Sequence, residues 1–149
     1  MTQETPGRPD ARRVPCVGGV VVHERRLLLV ERGHAPSAGL WSVPGGRLLS
    51  DEDPREGCAR ELLEETGLVV SVGDLVGTVE RDAPSGGVYV TDDFVCTVVG
   101  SPSELVAGDD AADAGWFSRH EVEALDAHGM LAPGVLDALD GWGVLDLLD

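Results

Sequence analysis

Lysine is absent from this sequence, and all eleven basic residues are arginines. Aromatic residues make up only 4% of the 149 residues, and no apolar run is long enough to span a bilayer. With 27 acidic residues the formal net charge is −16, which argues against a nucleic-acid polymer as partner because that partner requires a basic face. Any basic contact to an anionic group must come from a guanidinium, which binds in a bidentate manner.

Cysteine is also sparse, and the few thiols show no metal-ligand spacing. Cys16, Cys58 and Cys96 lie in apolar segments, which predicts buried thiols in a reducing cytosol. Residues 1–13 are polar and lack the apolar core of a secretion signal, so they predict a flexible tail. Residues 14–149 are long enough for a single domain with a proper core. We therefore expect a cytoplasmic protein without a membrane partner.

The stretch GGRLLSDEDPREGCARELLEETGL carries the clearest local signal, and its second half predicts a helix. Asp53 suits the N-cap, Pro54 the first helical position, and Glu56 stands where a capping box places its acidic residue. Gly67 follows the last good helix formers and suits a left-handed C-cap.

A helical wheel divides this helix into two faces. At roughly 100° per residue, the carboxylates of Glu61, Glu64 and Glu65 fall within about 100° of arc. The apolar residues of the helix fall on the other side, namely Cys58, Ala59, Leu62 and Leu63.

Three like charges on one face destabilise a bare helix, so we expect a compensating partner. Arg60 is one neighbour, but a single guanidinium does not neutralise three carboxylates. A divalent cation does, and hard oxygen ligands suit Mg²⁺, with Mn²⁺ as a substitute. The alternative from the residues alone is a solvated acidic face on a surface helix.

The spacing of these residues resembles a known signature. Five residues separate Gly46 from Glu52, seven more precede Arg60, and the sequence ELLEETGL follows through Leu68. This pattern is similar to the Nudix box at every defining position. The resemblance implies an α/β/α sandwich, with a mixed central sheet flanked by helices, and an enzyme in which water attacks a phosphoanhydride.

The resemblance also implies roles for individual residues. By position, Glu61, Glu64 and Glu65 match the metal ligands of the family helix, and Gly45 matches a glycine whose carbonyl helps to hold a metal. Arg60 would orient these carboxylates. Glu52 would support Arg60, share the metal-bound water, or only close the loop, and these alternatives stay open.

The loop Arg32–Pro44 runs directly into the box, and loops at such sites tend to carry substrate contacts. Arg32 is a candidate phosphate contact. Trp41 is a candidate for stacking on a base, although packing in the core is the commoner use of a single aromatic residue.

The general base is a separate question, because many Nudix relatives take it from a downstream loop. The candidates here are Asp109, Asp110 and Asp113, with Asp92 or Asp93 behind them. Asp110 lies six residues before Trp116, where some relatives carry a metal-binding or basic glutamate, so it is the preferred choice.

Strands flank the predicted helix. Apolar, β-branched runs predict strands over Val14–His23 and Arg26–Glu31, with a turn between them. Val69–Val79 is expected to form a strand, or a pair of strands with a turn at Gly73-Asp74. A further strand is expected over Val88–Val99, broken or bulged at Asp92-Asp93. Ser101–Ala114 predicts a polar loop, with a short strand or turn beginning at Trp116. A second helix is expected over Ser118–Ala127, with Ser118 and Glu121 forming a capping box, and a short one after Pro133.

These observations predict a Mg²⁺-dependent hydrolase of a small nucleotide. Resemblance favours the diphosphate linkage of ADP-ribose or a sugar nucleotide, with a nucleoside monophosphate and a phosphorylated moiety as products. The alternatives are a house-cleaning nucleoside triphosphate pyrophosphohydrolase and a non-catalytic Nudix module that binds a nucleotide. The Leu-rich C-terminus is a candidate surface for homodimerisation.

Overall fold

The computed structural model describes residues 12–33, 38–84, 86–108 and 111–149. In chain order its elements are β1 (Arg13–His23), β2 (Arg26–Arg32), β3 (Trp41–Ser42), β4 (Gly45–Arg47), α1 (Pro54–Thr66), β5 (Val70–Asp82), β6 (Val88–Val98), β7 (Ala111–Phe117), α2 (Arg119–Ala127) and α3 (Val135–Gly141). Residues 1–11 of the predicted tail lie outside the described residues, and β1 begins at Arg13, within that predicted tail.

The strands form a mixed sheet in the order β3-β2-β1-β6-β5, with β4 paired to β1 and β7 paired to β2. The β1–β6 pair is parallel, whereas the other pairs are antiparallel. Consecutive side chains of a strand point to opposite faces. One face packs on α1 and the other on α2 and α3, as the two apolar cores show. The predicted α/β/α sandwich is confirmed.

Helix α1 has the predicted termini. The Asp53 carboxylate accepts hydrogen bonds from the backbone nitrogens of Arg55 and Glu56, and Gly67 closes the helix at φ 71°. Cys58 and Leu62 are buried against the sheet, as expected. Leu63 is 51% exposed, so its predicted place on the packed face is wrong; it lies one position beyond the stripe that reaches the sheet.

Several strand boundaries differ from the prediction. Trp41–Ser42 pairs with β2 inside the expected loop, and β7 begins at Ala111 inside the expected polar loop. Of the two alternatives for Val69–Val79, the single strand is confirmed and the pair with a turn at Gly73-Asp74 is wrong, because β5 is continuous there. The register with β6 shifts between Val72 and Gly77. The bulge expected at Asp92-Asp93 therefore lies in the partner strand.

The C-terminal segment packs back onto the domain. Leu145 and Leu148 are 4% exposed within the core beneath α2 and α3, while Leu147 is 53% exposed. The Asp149 backbone exchanges hydrogen bonds with the Arg25 carbonyl and the Arg119 nitrogen. Two of the leucines considered for homodimerisation are therefore part of the chain's own core. Among the described residues, no helix is long and apolar enough to cross a membrane.

Candidate functional site

Arg60 is the centre of a carboxylate cluster on α1. Its Nε and Nη2 donate to the two oxygens of Glu52 at 2.7 and 2.9 Å, and its Nη1 donates to Glu61 at 3.1 Å and Glu64 at 3.0 Å. Nη2 also donates to the carbonyl of Arg47 on β4. The structure thus brings together the residues that the spacing of the box had singled out.

Glu52 reaches this cluster from the loop before α1. Besides the paired bonds from Arg60, it accepts a hydrogen bond from the Leu49 backbone nitrogen at 2.9 Å. The Arg60 guanidinium, together with that backbone donor, lowers the pKa of Glu52 to about 2. Of the alternatives for Glu52, the geometry matches support of Arg60 and closure of the loop.

Glu61 lies between α1 and the glycine pair of β4. Its side chain is 14% exposed, and a Cβ built on Gly46 would lie 2.5–2.7 Å from its carboxylate atoms. Burial raises the pKa of Glu61, and Arg60 opposes that rise. Because Gly46 has no side chain, the desolvated Glu61 carboxylate has space beside it. A cation placed there would favour the ionised form of Glu61.

Glu65 is held by the other glycine of the pair. The Gly45 backbone nitrogen donates to Glu65 Oε1 at 2.9 Å, which fixes the carboxylate against β4. A Cβ on Gly45 would overlap the carbonyl oxygen of Val17 on β1, so this close approach requires glycine. Gly45 and Gly46 thus face different carboxylates from one short strand.

The donor set of this cluster fits a hard divalent cation. Glu61, Glu64 and Glu65 offer carboxylate oxygens, which Mg²⁺ and Mn²⁺ prefer. In the described ranges, no group of three or more acidic, histidine or cysteine side chains is arranged as a ready-made metal cage. Arg60 holds two of the three carboxylates instead, so a bound metal would share or displace these ion pairs.

The two residues proposed from the preceding loop lie at the end of β2 and the start of β3. Arg32 ends β2, and its backbone nitrogen donates to the Leu40 carbonyl at 3.0 Å. Trp41 packs its ring edge-on against Phe117, with centroids 5.0 Å apart, beside the core under α2. This packing matches the core role considered for Trp41.

The candidates for the general base that the structure describes lie on two different strands, β6 and β7. Asp109 and Asp110 lie outside the described residues. Asp113 lies on β7, where its carboxylate accepts from the Ala114 nitrogen, and Asp92 accepts from Thr78. The loop before Asp109 nonetheless docks on α1, because the Gly108 nitrogen donates to the Glu65 carbonyl at 3.0 Å.

Asp93 has an environment that the sequence pattern missed. It is 4% exposed, and its Oδ1 has no hydrogen-bond partner among the described residues. Burial raises the pKa of Asp93 to about 6, against the opposing effect of Arg81. A signal that could have indicated it is Gly18, a glycine inside a buried strand, which lies opposite Asp93.

A protein-family model matches most of this chain. Residues 12–138 match the model of the NUDIX domain. The chain belongs to the Nudix family. It is similar to a "MutT-like protein" of Streptomyces ambofaciens, with 36% identity over 91% of this chain and 82% of the relative. It is also similar to an "ADP-ribose pyrophosphatase" of Methanocaldococcus jannaschii, with 34% identity over 74% of this chain and 64% of the relative.

The solved structures agree with the family assignment. A Nudix hydrolase from Nitrosomonas europaea superposes with a TM-score of 0.76 at 28% identity, covering 93% of this chain and 97% of that one. The predicted membership of the Nudix hydrolases is thereby confirmed by sequence and by fold. This Nudix chain spans 64% of the length of the archaeal relative.

Proposed function

We propose that this Nudix chain is a Mg²⁺-dependent pyrophosphohydrolase acting on ADP-ribose or a closely related nucleoside diphosphate derivative. The observation that carries the proposal is the convergence of Glu52, Glu61 and Glu64 on Arg60, beside the glycine pair that holds Glu65. The name of the archaeal relative supports the choice of ADP-ribose. The products would be AMP and a phosphorylated sugar, in keeping with a cytoplasmic enzyme of nucleotide metabolism.

In this reaction the residues around Arg60 hold the acidic side chains in position. Arg60 holds Glu61 and Glu64 on one face of α1, and Glu52 holds Arg60 through two parallel bonds. Gly46 leaves room for the Glu61 carboxylate. The arrangement keeps several acidic oxygens in one place although they repel one another, so that they are preorganised to bind a cation.

Glu61, Glu64 and Glu65 would hold the metal, together with the carbonyl of Gly45. Bound Mg²⁺ supplies neutralisation of phosphoryl oxygens and a lower pKa for water. In a chain of net charge −16, this local positive charge also makes the approach of an anionic substrate favourable. Asp110 remains the proposed general base.

Product analysis tests the proposal. The purified protein is incubated with ADP-ribose, nucleotide sugars and nucleoside triphosphates in Mg²⁺, and products are separated by ion-exchange chromatography. AMP from ADP-ribose is the expected result. A nucleoside monophosphate and pyrophosphate from triphosphates alone would instead indicate the house-cleaning activity. Binding of nucleotides without any turnover would indicate the non-catalytic module.

A further inference from the structure

Two of the three cysteines meet between α1 and the sheet. Cys58 on α1 and Cys96 on β6 both belong to the core on this side of the sheet, and they are 0% and 3% exposed. Their Sγ atoms lie 3.6 Å apart, and all three cysteines are free thiols. The contact joins residues that are 38 positions apart in the chain, so a bond between them would link two elements that packing alone now holds together.

Gly19 on β1 makes this close approach possible. A Cβ at Gly19 would lie 2.7 and 2.9 Å from the methyl carbons of Leu62, and 3.2 Å from the sulfur of Cys96. Because glycine has no side chain, α1 packs directly on the sheet at this point. Cys58 lies four residues before Leu62 on the same face of α1, and it is thereby brought against Cys96.

The two sulfur atoms need only a small movement to form a disulfide. A disulfide requires about 2.05 Å between its sulfurs, so these atoms must approach by roughly 1.5 Å. Each thiol has one other polar contact: Cys58 donates to the Gly18 carbonyl at 3.5 Å, and Cys96 donates to the Phe94 carbonyl at 3.6 Å. A thiol is a weak donor, so these contacts do little to hold the sulfurs at their present distance.

The two thiols are not equivalent. The hydrogen bond from Cys96 lowers the pKa of Cys58, although burial opposes this effect. The same bond raises the pKa of Cys96. Cys58 therefore loses its proton first and is the nucleophile of the pair, because the thiolate is the reactive form of cysteine.

A peroxide is the oxidant that such a pair requires. The Cys58 thiolate attacks one oxygen of hydrogen peroxide and breaks the O–O bond, which gives a sulfenic acid and one hydroxide ion. The Cys96 sulfur then attacks the Cys58 sulfur and expels the second hydroxide ion. The protons of the two thiols convert both hydroxide ions to water, so two electrons pass from the two sulfurs to the peroxide.

Because both sulfurs are buried, oxidation requires α1 to open from the sheet. Buried thiols react slowly, and the rate of their reaction follows the fraction of molecules that are locally open. The disulfide would be shielded from soluble reductants in the same way. The pair is therefore suited to respond to sustained oxidation.

We propose that Cys58 and Cys96 are a redox-sensitive pair, which a peroxide converts into a disulfide between α1 and β6 with loss of hydrolytic activity. The loss of activity rests on the proposed function, since α1 carries the proposed metal ligands. Cys58 lies three residues before Glu61, and the contact with Gly46 leaves that carboxylate little space for movement. A displacement of about 1 Å in a catalytic site is enough to lower turnover tenfold or more.

The test combines mass spectrometry with activity. The purified protein is incubated with hydrogen peroxide, unfolded in iodoacetamide, and measured as intact protein and as unreduced tryptic peptides. The wild type should lose two hydrogens, keep one alkylated thiol at Cys16, and yield a peptide that links Cys58 to Cys96. Turnover of ADP-ribose should fall about tenfold or more and return with dithiothreitol, which does not reduce methionine sulfoxide.

Three variants separate the pair from the remaining thiol. Cys16→Ser keeps the pair and should respond as the wild type does. Cys58→Ala and Cys96→Ala remove it, so neither should yield the linked peptide, and each should have the same turnover before and after peroxide. Thermal unfolding shows whether each variant is folded. The masses of the wild type and of Cys16→Ser decide the question even where an alanine variant is unstable.

Three results would overturn the inference: three alkylated thiols in the peroxide-treated wild type, a disulfide that includes Cys16, or a peptide linking Cys58 to Cys96 with unchanged turnover. The proposed function fails separately, if the untreated protein cleaves no nucleotide. The linked peptide is detected by mass in either case, and it would then support the pair without the effect on turnover.

Discussion

At the scale of single residues, Arg60 organises the site because one guanidinium serves three carboxylates. Its donors reach Glu52, Glu61 and Glu64, and these partners raise the pKa of Arg60 further above its ordinary range. A planar guanidinium with five donors permits this sharing, which a lysine ammonium at the same place would not reproduce. The acidic residues are therefore held close together before any ligand binds.

Glu64 is the carboxylate whose loss is easiest to interpret. Its side chain is 43% exposed, so Glu64→Gln should leave the fold intact while removing one ligand charge. We expect turnover of ADP-ribose to fall by at least about a hundredfold. Steady-state rates measure the effect. Glu56→Gln, at the exposed start of the same helix, is the matched control, and equal activity of both variants would contradict the proposed role of Glu64.

Substitution of Gly46 tests whether the Glu61 carboxylate needs the space beside this glycine. Gly46→Ala would place a methyl group 2.5–2.7 Å from the Glu61 carboxylate, so that carboxylate must shift and activity should fall about tenfold or more. Gly141→Ala adds a methyl group with nothing within 4 Å and should preserve activity. Rates and circular dichroism of both variants give the comparison, and a fully active Gly46→Ala protein would argue against this contact.

Asp93 makes stability depend on pH. Burial raises its pKa from 3.8 to about 6. Below pH 4 both folded and unfolded states are protonated; between pH 4 and 6 the unfolded state ionises first, so rising pH favours unfolding. Above pH 6 the decrease in the free energy of unfolding is constant, at up to about 3 kcal/mol. Urea unfolding of Asp93→Asn against wild type should show a relative gain that develops between pH 4 and 6, whereas a pH-independent difference would refute it.

Asp93 also shows a buried environment that the sequence pattern did not predict. Aspartate in a strand predicted a bulge, because the pattern did not say what lies opposite. The pairing with Gly18 across a parallel ladder makes the burial possible, and that pairing joins distant parts of the chain. The box residues were predictable because Arg60 and the carboxylates that it binds lie within one loop and the helix that follows it.

At the scale of elements, local signals predicted the helices better than the short strands. Asp53, Gly67 and the Ser118–Glu121 capping box all have the expected geometry. Strand β7 was missed over Ala111–Gly115, where AADAG contains no β-branched residue. Pairing with β2 imposes the extended conformation there, so tertiary context overrides local propensity.

The N-cap of α1 offers an element-level prediction. Asp53→Ala removes the acceptor for the Arg55 and Glu56 nitrogens and should lower the free energy of unfolding by about 1 kcal/mol. Asp126→Ala, in the last turn of α2, should cost nothing, because a negative charge is unfavourable at a helix C-terminus. Denaturant titrations measure the free energy of unfolding of both variants. Equal stability of the two would mean that Asp53 does not act as a cap.

At the scale of the whole molecule, the C-terminal segment completes the core beneath α2 and α3. Leu145→Ala should lower the free energy of unfolding by about 2–5 kcal/mol, because the side chain is 4% exposed. Leu147→Ala, which removes a half-exposed side chain two residues away, should cost far less. Thermal and urea unfolding of this pair measure the difference; comparable losses would contradict the burial pattern.

The parallel pairing of β1 with β6 has a consequence for biosynthesis. Val14 lies beside Tyr89 and Val21 beside Cys96. Strand β1 is therefore synthesised long before the strand with which it pairs. Contacts between distant segments form slowly, because a long loop must close before they stabilise anything. During translation β1 would leave the ribosome early yet lack β6 until Val98 has emerged, so a stalled ribosome should carry a nascent chain whose central sheet is incomplete.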